Sequence, residues 1–178
     1  MKKAILISFF ILLTSIVFGQ SINDLDARNG FKTIKLGSDI SDFKDKIGPV
    51  SGEKDGVIMY IYSPSDVDLK TVFDSKFDNI YLIFKNSKLI GIQLKKKFSD
   101  FIPAVEEIKL ITKNFIQLFG NYNSTINESS PTKVGFIWAG KIVLLQAYTN
   151  RLGLDKGSEN VIDIVDINYA DSKLKNGF

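Results

Sequence analysis

A chain that opens with an export leader and contains no cysteine must be held together by its apolar core alone. Disulfides, the usual staple of small exported domains, cannot form. Met1-Lys2-Lys3 is a positive start, Ala4 to Phe18 is a nearly unbroken apolar run, and Val17-Phe18-Gly19 sets modest and small side chains ahead of Gln20. This order predicts a signal peptide over residues 1–19, cleaved before Gln20. A run of about fifteen residues is short for a membrane span, and without a cysteine behind it there is no lipid-attachment site. The expected mature chain, residues 20–178, is a single α+β domain, periplasmic or secreted, with no membrane span after cleavage.

The chain also lacks histidine. With neither His nor Cys there is no imidazole base, no thiol nucleophile, and no thiolate or imidazole metal site. No metal or cofactor is expected. The 23 Lys and Arg residues face 20 Asp and Glu, and the leader takes Lys2 and Lys3 with it. The remaining domain is close to neutral, so charge makes no case for nucleic acid or an anionic membrane as partner.

Period and punctuation predict the elements. Ser21 to Asn29 reads as a polar lead-in, and Phe31–Leu36 as an edge strand. Ser38 caps a short helix with Ile40, Phe43 and Ile47 on one stripe, stopped by Gly48-Pro49. Four strand runs follow: Val57–Tyr62, Val67–Phe73, Phe77–Lys85 and Lys88–Lys97, the last two joined at Asn86-Ser87. Ser99 or Asp100 then caps a helix running to Phe119, with Val105, Ile108, Ile111, Phe115, Leu118 and Phe119 inward and Gly120-Asn121 at its end. A polar loop, Asn121–Pro131, leads to a hairpin of Lys133–Trp138 and Lys141–Thr149 around Ala139-Gly140. Val161–Tyr169 is the last strand, and Asp171–Phe178 a tail. The expected fold is therefore α+β: an antiparallel sheet of about seven strands with two helices on one face, ordered helix, four strands, helix, three strands.

Residues 84–93 can be laid on residues 137–146, hairpin on hairpin. The stretch Ile34-Lys35-Leu36-Gly37-Ser38-Asp39-Ile40-Ser41-Asp42-Phe43, followed by Gly48-Pro49, resembles the opening of BamE/SmpA-type periplasmic modules. Leu118-Phe119-Gly120 and the hairpin around Trp138 resemble a second such unit, as in β-lactamase-inhibitor-like proteins. The resemblance covers about a third of the chain. It implies helices packed on one face of an antiparallel sheet, and protein binding rather than catalysis.

Asp163 and Asp166 stand in an otherwise apolar strand. Alternation sends them to opposite faces, so they cannot act as a carboxylate pair. Lys95-Lys96-Lys97 likewise cannot share one face. Lys156-Gly157-Ser158 lacks the glycine spacing of a phosphate loop. Asp66-Val67-Asp68 lacks the further oxygens of a calcium loop. More informative is that both sheet faces carry apolar side chains. Val134, Phe136, Trp138, Val143 and Leu145 share one face, and Ile137, Ile142, Leu144, Gln146 and Tyr148 the other. In the earlier hairpin Tyr81, Ile83, Ile90, Ile92 and Leu94 oppose Ile80, Leu82, Phe84, Leu89 and Gln93. Two helices cover one face. The other, rimmed by Tyr and Gln, reads as a surface for another protein. The residues expected to contact that partner are Tyr60, Tyr62, Ile142, Leu144, Gln146 and Tyr148, with no catalytic residue. The function expected is non-catalytic protein binding in the bacterial envelope. An immunity protein against an exported toxin fits the same size and leader. A carboxylate enzyme acting on envelope glycan is the third reading.

Overall fold

The structure, a computed structural model, describes residues 21–50, 53–127, 132–153 and 156–170. The expected leader and the expected tail from Asp171 lie outside the described residues. In chain order the first elements are α1 (Ile22–Arg28), β1 (Gly30–Phe31), β2 (Ile34–Lys35) and β3 (Ile47–Pro49). Then come β4 (Val57–Tyr62), β5 (Thr71–Val72), β6 (Ser75–Lys76), β7 (Asn79–Lys85) and β8 (Lys88–Phe98). The long helix α2 (Phe101–Phe119) precedes β9 (Ser124–Asn127), β10 (Lys133–Ala139), β11 (Val143–Arg151) and β12 (Ser158–Asp166). A single helical turn, 167–170, follows.

Among the described residues the molecule is mostly β, which corrects the α+β expectation. Its main sheet has eight antiparallel strands in the order β3-β4-β7-β8-β12-β11-β10-β9, and the pairs β1-β2 and β5-β6 stand apart as small hairpins. The predicted seven strands gain β3 and β9 at the edges and lose Val67–Phe73. That run is a 3₁₀ turn over Val67–Lys70, because the Asp66 carboxylate accepts the Asp68 N–H at 2.9 Å. The predicted helix after Ser38 is two 3₁₀ turns, Ile40–Asp42 and Lys44–Lys46. Asp39 caps Ser41 as a helix start should, but the segment is too short to nucleate an α-helix. Ile47-Gly48-Pro49 is instead drawn into edge pairing with Tyr62, Ile61 and Tyr60.

The first helix lies where a polar lead-in was expected. Ser21 and Asp24 form its start, with the Ser21 N–H donating to Asp24 Oδ2 at 3.0 Å. Asn29, at φ 44°, closes it by donating to the Leu25 carbonyl. α2 runs from Phe101 to Phe119 between the caps Asp100 and Gly120, as its amphipathic stripe predicts. Ala104, Ile108, Ile111, Phe115 and Phe119 bury against β8, β10, β11 and β12. Trp138 is fully buried beneath it, and its indole N–H donates to the Gly120 carbonyl at 3.0 Å.

A buried polar hub fixes α2 on the sheet. Asn160, with no exposed surface, donates to the Ala104 carbonyl and to Glu107 Oε2 and accepts from Thr149 Oγ1. Glu107 also receives Lys96, and Ser158 donates to the Asp100 carbonyl. An apolar helix face can slide along a sheet; these directional bonds hold it at one register.

The other half of the same sheet face is closed by aromatics. Phe43 meets Tyr62 and Phe84 edge-on, and Tyr60 meets Phe84. α1 is fastened across the molecule by one side chain. Asp26 accepts the backbone N–H groups of Lys141, Ile142 and Val143 at 2.7, 3.1 and 3.0 Å. Burial pushes its carboxyl up, but those three donors outweigh burial and hold its pKa below 3.8. Gly140 makes the approach possible, since a Cβ there would lie 2.2 Å from Asp26 Oδ1.

Asp26→Ala is expected to lower unfolding stability by about 1–2 kcal/mol at neutral pH, the usual value of a capping carboxylate. Because the folded-state pKa is depressed, that contribution is present above the unfolded value of 3.8 and fades as pH falls through the lowered one. Urea titrations at pH 7 and pH 3 check both parts. Thr112 is the opposite case: its buried hydroxyl has no hydrogen-bond partner among the described residues. Thr112→Val keeps the shape and removes the orphan, so a gain of about 1 kcal/mol is expected in the same titration.

Candidate functional site

Eight strands give two faces, and α1, α2 and the small hairpins lie on one of them. The register sorts the other. Across β10, β11, β12, β8, β7 and β4 one row reads Ala139, Leu144, Val165, Gly91, Ile83, Met59. The next row reads Ile137, Gln146, Asp163, Gln93, Tyr81, Ile61, and the one after it Gly135, Tyr148, Val161, Lys95, Asn79. The face is thus an apolar row, a row polar at its centre, and a mixed row with an aromatic ring.

Asp163 is the centre. Gln93, its direct neighbour on β8, donates Nε2–H to Oδ1 at 2.8 Å, and Tyr148 reaches diagonally from β11 to donate its hydroxyl to Oδ2 at 3.0 Å. Burial raises the Asp163 carboxyl above 3.8, opposed by those two bonds and by the charges of Lys133 and Lys95. Burial and the Asp163 charge push the Tyr148 phenol upward, so it stays a donor. Lys133 stands 4.0 Å over the Tyr148 ring, and Lys95 pairs with Glu159 at 3.6 Å. Beneath these long side chains Val161 is only 1% exposed. A sheet face can therefore be locally dry with no helix above it.

Close strand approach marks the β10 side of Tyr148. Its cross-strand partner is Gly135, where a Cβ would stand 2.3 Å from the Tyr148 Cβ and 2.5 Å from the Ala147 carbonyl oxygen. Only glycine lets the two strands meet this closely there.

The residues expected to contact a partner divide accordingly. Leu144 and Gln146 lie half-buried on the open face, and Tyr148 lies there with its ring largely buried. Ile142 is not on the face: it sits in the β10–β11 turn, 47% exposed. Gly140 pairs with Val143, so the turn is centred on Lys141-Ile142 rather than on Ala139-Gly140. The displacement is two residues, which preserves strand parity and leaves the other side chains on their predicted faces. Tyr60 and Tyr62 are on the covered face, paired with Leu82 and Ile80 and packed in the aromatic cluster around Phe43 and Phe84. Tyr62 belongs to the core, and Tyr60 packs half-buried against it.

A second reassignment comes from β8. Phe84 pairs with Leu89 but Ile83 pairs with Gly91, leaving Ile90 unpaired in a bulge. The extra residue moves Ile92 and Leu94 to the covered face, where neither is exposed, and brings Gln93 beside Asp163. An acid in an apolar strand was the available signal for this centre. Its partners could not be read, because β12 pairs with β8 across a sequence gap that includes α2.

Comparison with protein-family models, with curated proteins and with solved structures gives no match to this chain.

Asp163→Asn tests the electrostatics. An Asp with a raised folded-state pKa binds its proton more tightly than the unfolded chain does, so wild-type stability falls as pH rises from 3.8 through the raised value. The Asn variant lacks this term. Its stability is expected to improve relative to wild type across that window and then hold a constant difference. Urea titrations at half-unit steps from pH 3.5 to 8 measure it.

Proposed function

We propose that the mature chain acts after export as a non-catalytic binding module of the bacterial envelope, and that a partner protein docks on the open sheet face. The observation carrying this reading is the row order. Leu144, Val165 and Ile83 form a half-buried apolar strip along one side of a polar centre whose donors and acceptor are already held in place. Such a patch offers an apolar anchor a seat and fixed polar groups a register.

The chemistry of the partner follows from the rim. Lys133 lies over Tyr148, and the register puts Lys85 and Lys97 on this face near the ends of β7 and β8. Lys95 is already neutralised by Glu159. The partner is accordingly a protein surface with an apolar side chain at its centre and carboxylates around it. The resemblance of residues 34–49 to periplasmic binding modules agrees with this reading. Asp163 serves as a fixed acceptor in it, since both oxygens are engaged by Gln93 and Tyr148.

Tagged residues 20–178 are the reagent for a pull-down from envelope extract. A stoichiometric partner is expected, lost with Leu144→Lys and retained with Ile102→Lys, a 70% exposed residue on α2 away from this face. Leu144→Lys should leave the thermal midpoint within a few degrees of wild type. Capture that survives Leu144→Lys, or that Ile102→Lys abolishes, places the docking surface elsewhere.

A further inference from the structure

The covered side of the sheet holds a feature that partner binding on the open face does not use. A cavity of about 280 Å³ lies among α1, the β1-β2 hairpin, the β5-β6 hairpin, α2 and the sheet. Leu25, Phe73, Leu118, Phe119, Leu145 and Ile164 are among its walls. Its lining also includes three cations: Arg28, Lys32 and Lys35.

Among the described residues none of the three has a carboxylate within salt-bridge distance. Arg28 lies 5.6 Å from the centre of the Phe119 ring, Lys35 donates to the Arg28 carbonyl at 2.5 Å, and Lys32 donates to the Asp68 carbonyl. Carbonyl acceptors and a ring face orient a cation without neutralising it. Arg28, Lys32 and Lys35 are exposed, while Leu25, Phe119, Leu145 and Ile164 are buried. The cavity is therefore apolar inside and positive at its mouth.

We infer that this cavity binds a single-chain amphipathic anion: an acyl chain seated between α2 and the sheet, with its carboxylate held by Arg28, Lys32 and Lys35. A ligand site is commonly a mostly apolar concavity with a few convergent polar groups, and sizes start near 300 Å³. At about 280 Å³ this one lies just below that range. It suits one chain of medium length and not a two-chain lipid. The charge pattern selects an anion over a neutral chain.

Hexanoate, octanoate, decanoate and 1-decanol are the probes, titrated below their aggregation limits and followed by calorimetry and by amide NMR shifts. Saturable one-to-one binding of decanoate is expected. Affinity should rise by about four-fold per methylene along the series until the cavity is full. Arg28→Gln and Lys35→Gln should each weaken decanoate by about three-fold, an effect that added salt reduces. Leu118→Trp, which fills the cavity from α2, should abolish binding while the protein keeps its thermal midpoint. No saturable binding of decanoate, equal affinity for 1-decanol, or indifference to Leu118→Trp would each overturn the inference. Should Leu118→Trp fail to fold, shifts confined to the amides of α1, β2 and α2 on adding decanoate to wild type would support it, and shifts confined to the open face would sink it.

Discussion

Everything in the molecule hangs on β12. Strand β8 belongs to one run of consecutive antiparallel pairs and β11 to another, and each would present a long row of unpaired N–H and C=O groups at the middle of the sheet. β12 supplies both with partners at once. Backbone groups left without partners in so dry a position would cost more than the strand's apolar contacts return. The strand also carries the two polar centres, one to each side. Asn160 pins α2 beneath the sheet, and Asp163 gathers Gln93 and Tyr148 above it. Because a strand alternates, one nine-residue segment organises both surfaces.

How much of this could be read in the sequence differs by element, for physical reasons. The Asn86-Ser87 hairpin was legible because both residues take positive φ, 49° and 62°, which Asn favours and few side chains tolerate. α2 was legible because nineteen residues of helical period leave no other interpretation. α1 carried a readable start in Ser21 and Asp24, hidden by the polarity of its outer face. Its one buried side chain, Leu25, gives no period to detect. Gly140 misled about the turn: it is there so that Asp26 can approach, and the chain reverses at Lys141-Ile142.

The candidate site shows the same division. The parity of β10 and β11 was correct, so Leu144, Gln146 and Tyr148 could be placed on one face together. Which face of β4 joins them depends on the pairing across the whole sheet, and Tyr60 and Tyr62 fall on the opposite one. Local alternation says which side chains stay together. It does not say which side the helix will take, since both faces carry apolar residues. The cavity is less legible still, because its walls come from elements distant in the chain and its charges from two segments, Arg28 from a stretch that reads as a lead-in and Lys32 and Lys35 from one that reads as an edge strand.

The bulge at Ile90 bears on how a chain of this kind can vary over evolutionary time. Strand parity on either side of it is opposite, so one residue separates two incompatible phases of the same strand. Losing it would turn either Leu89 or the Ile92 and Leu94 pair out of the core, and take Gln93 away from Asp163. Length changes within β8 are thus tolerable in twos but not singly. The turn at Lys141-Ile142 is restricted in another way, by the Asp26 carboxylate that holds its backbone N–H groups. Divergent sequences sharing this architecture should change the spacing from Leu89 to Phe98 only by even numbers of residues.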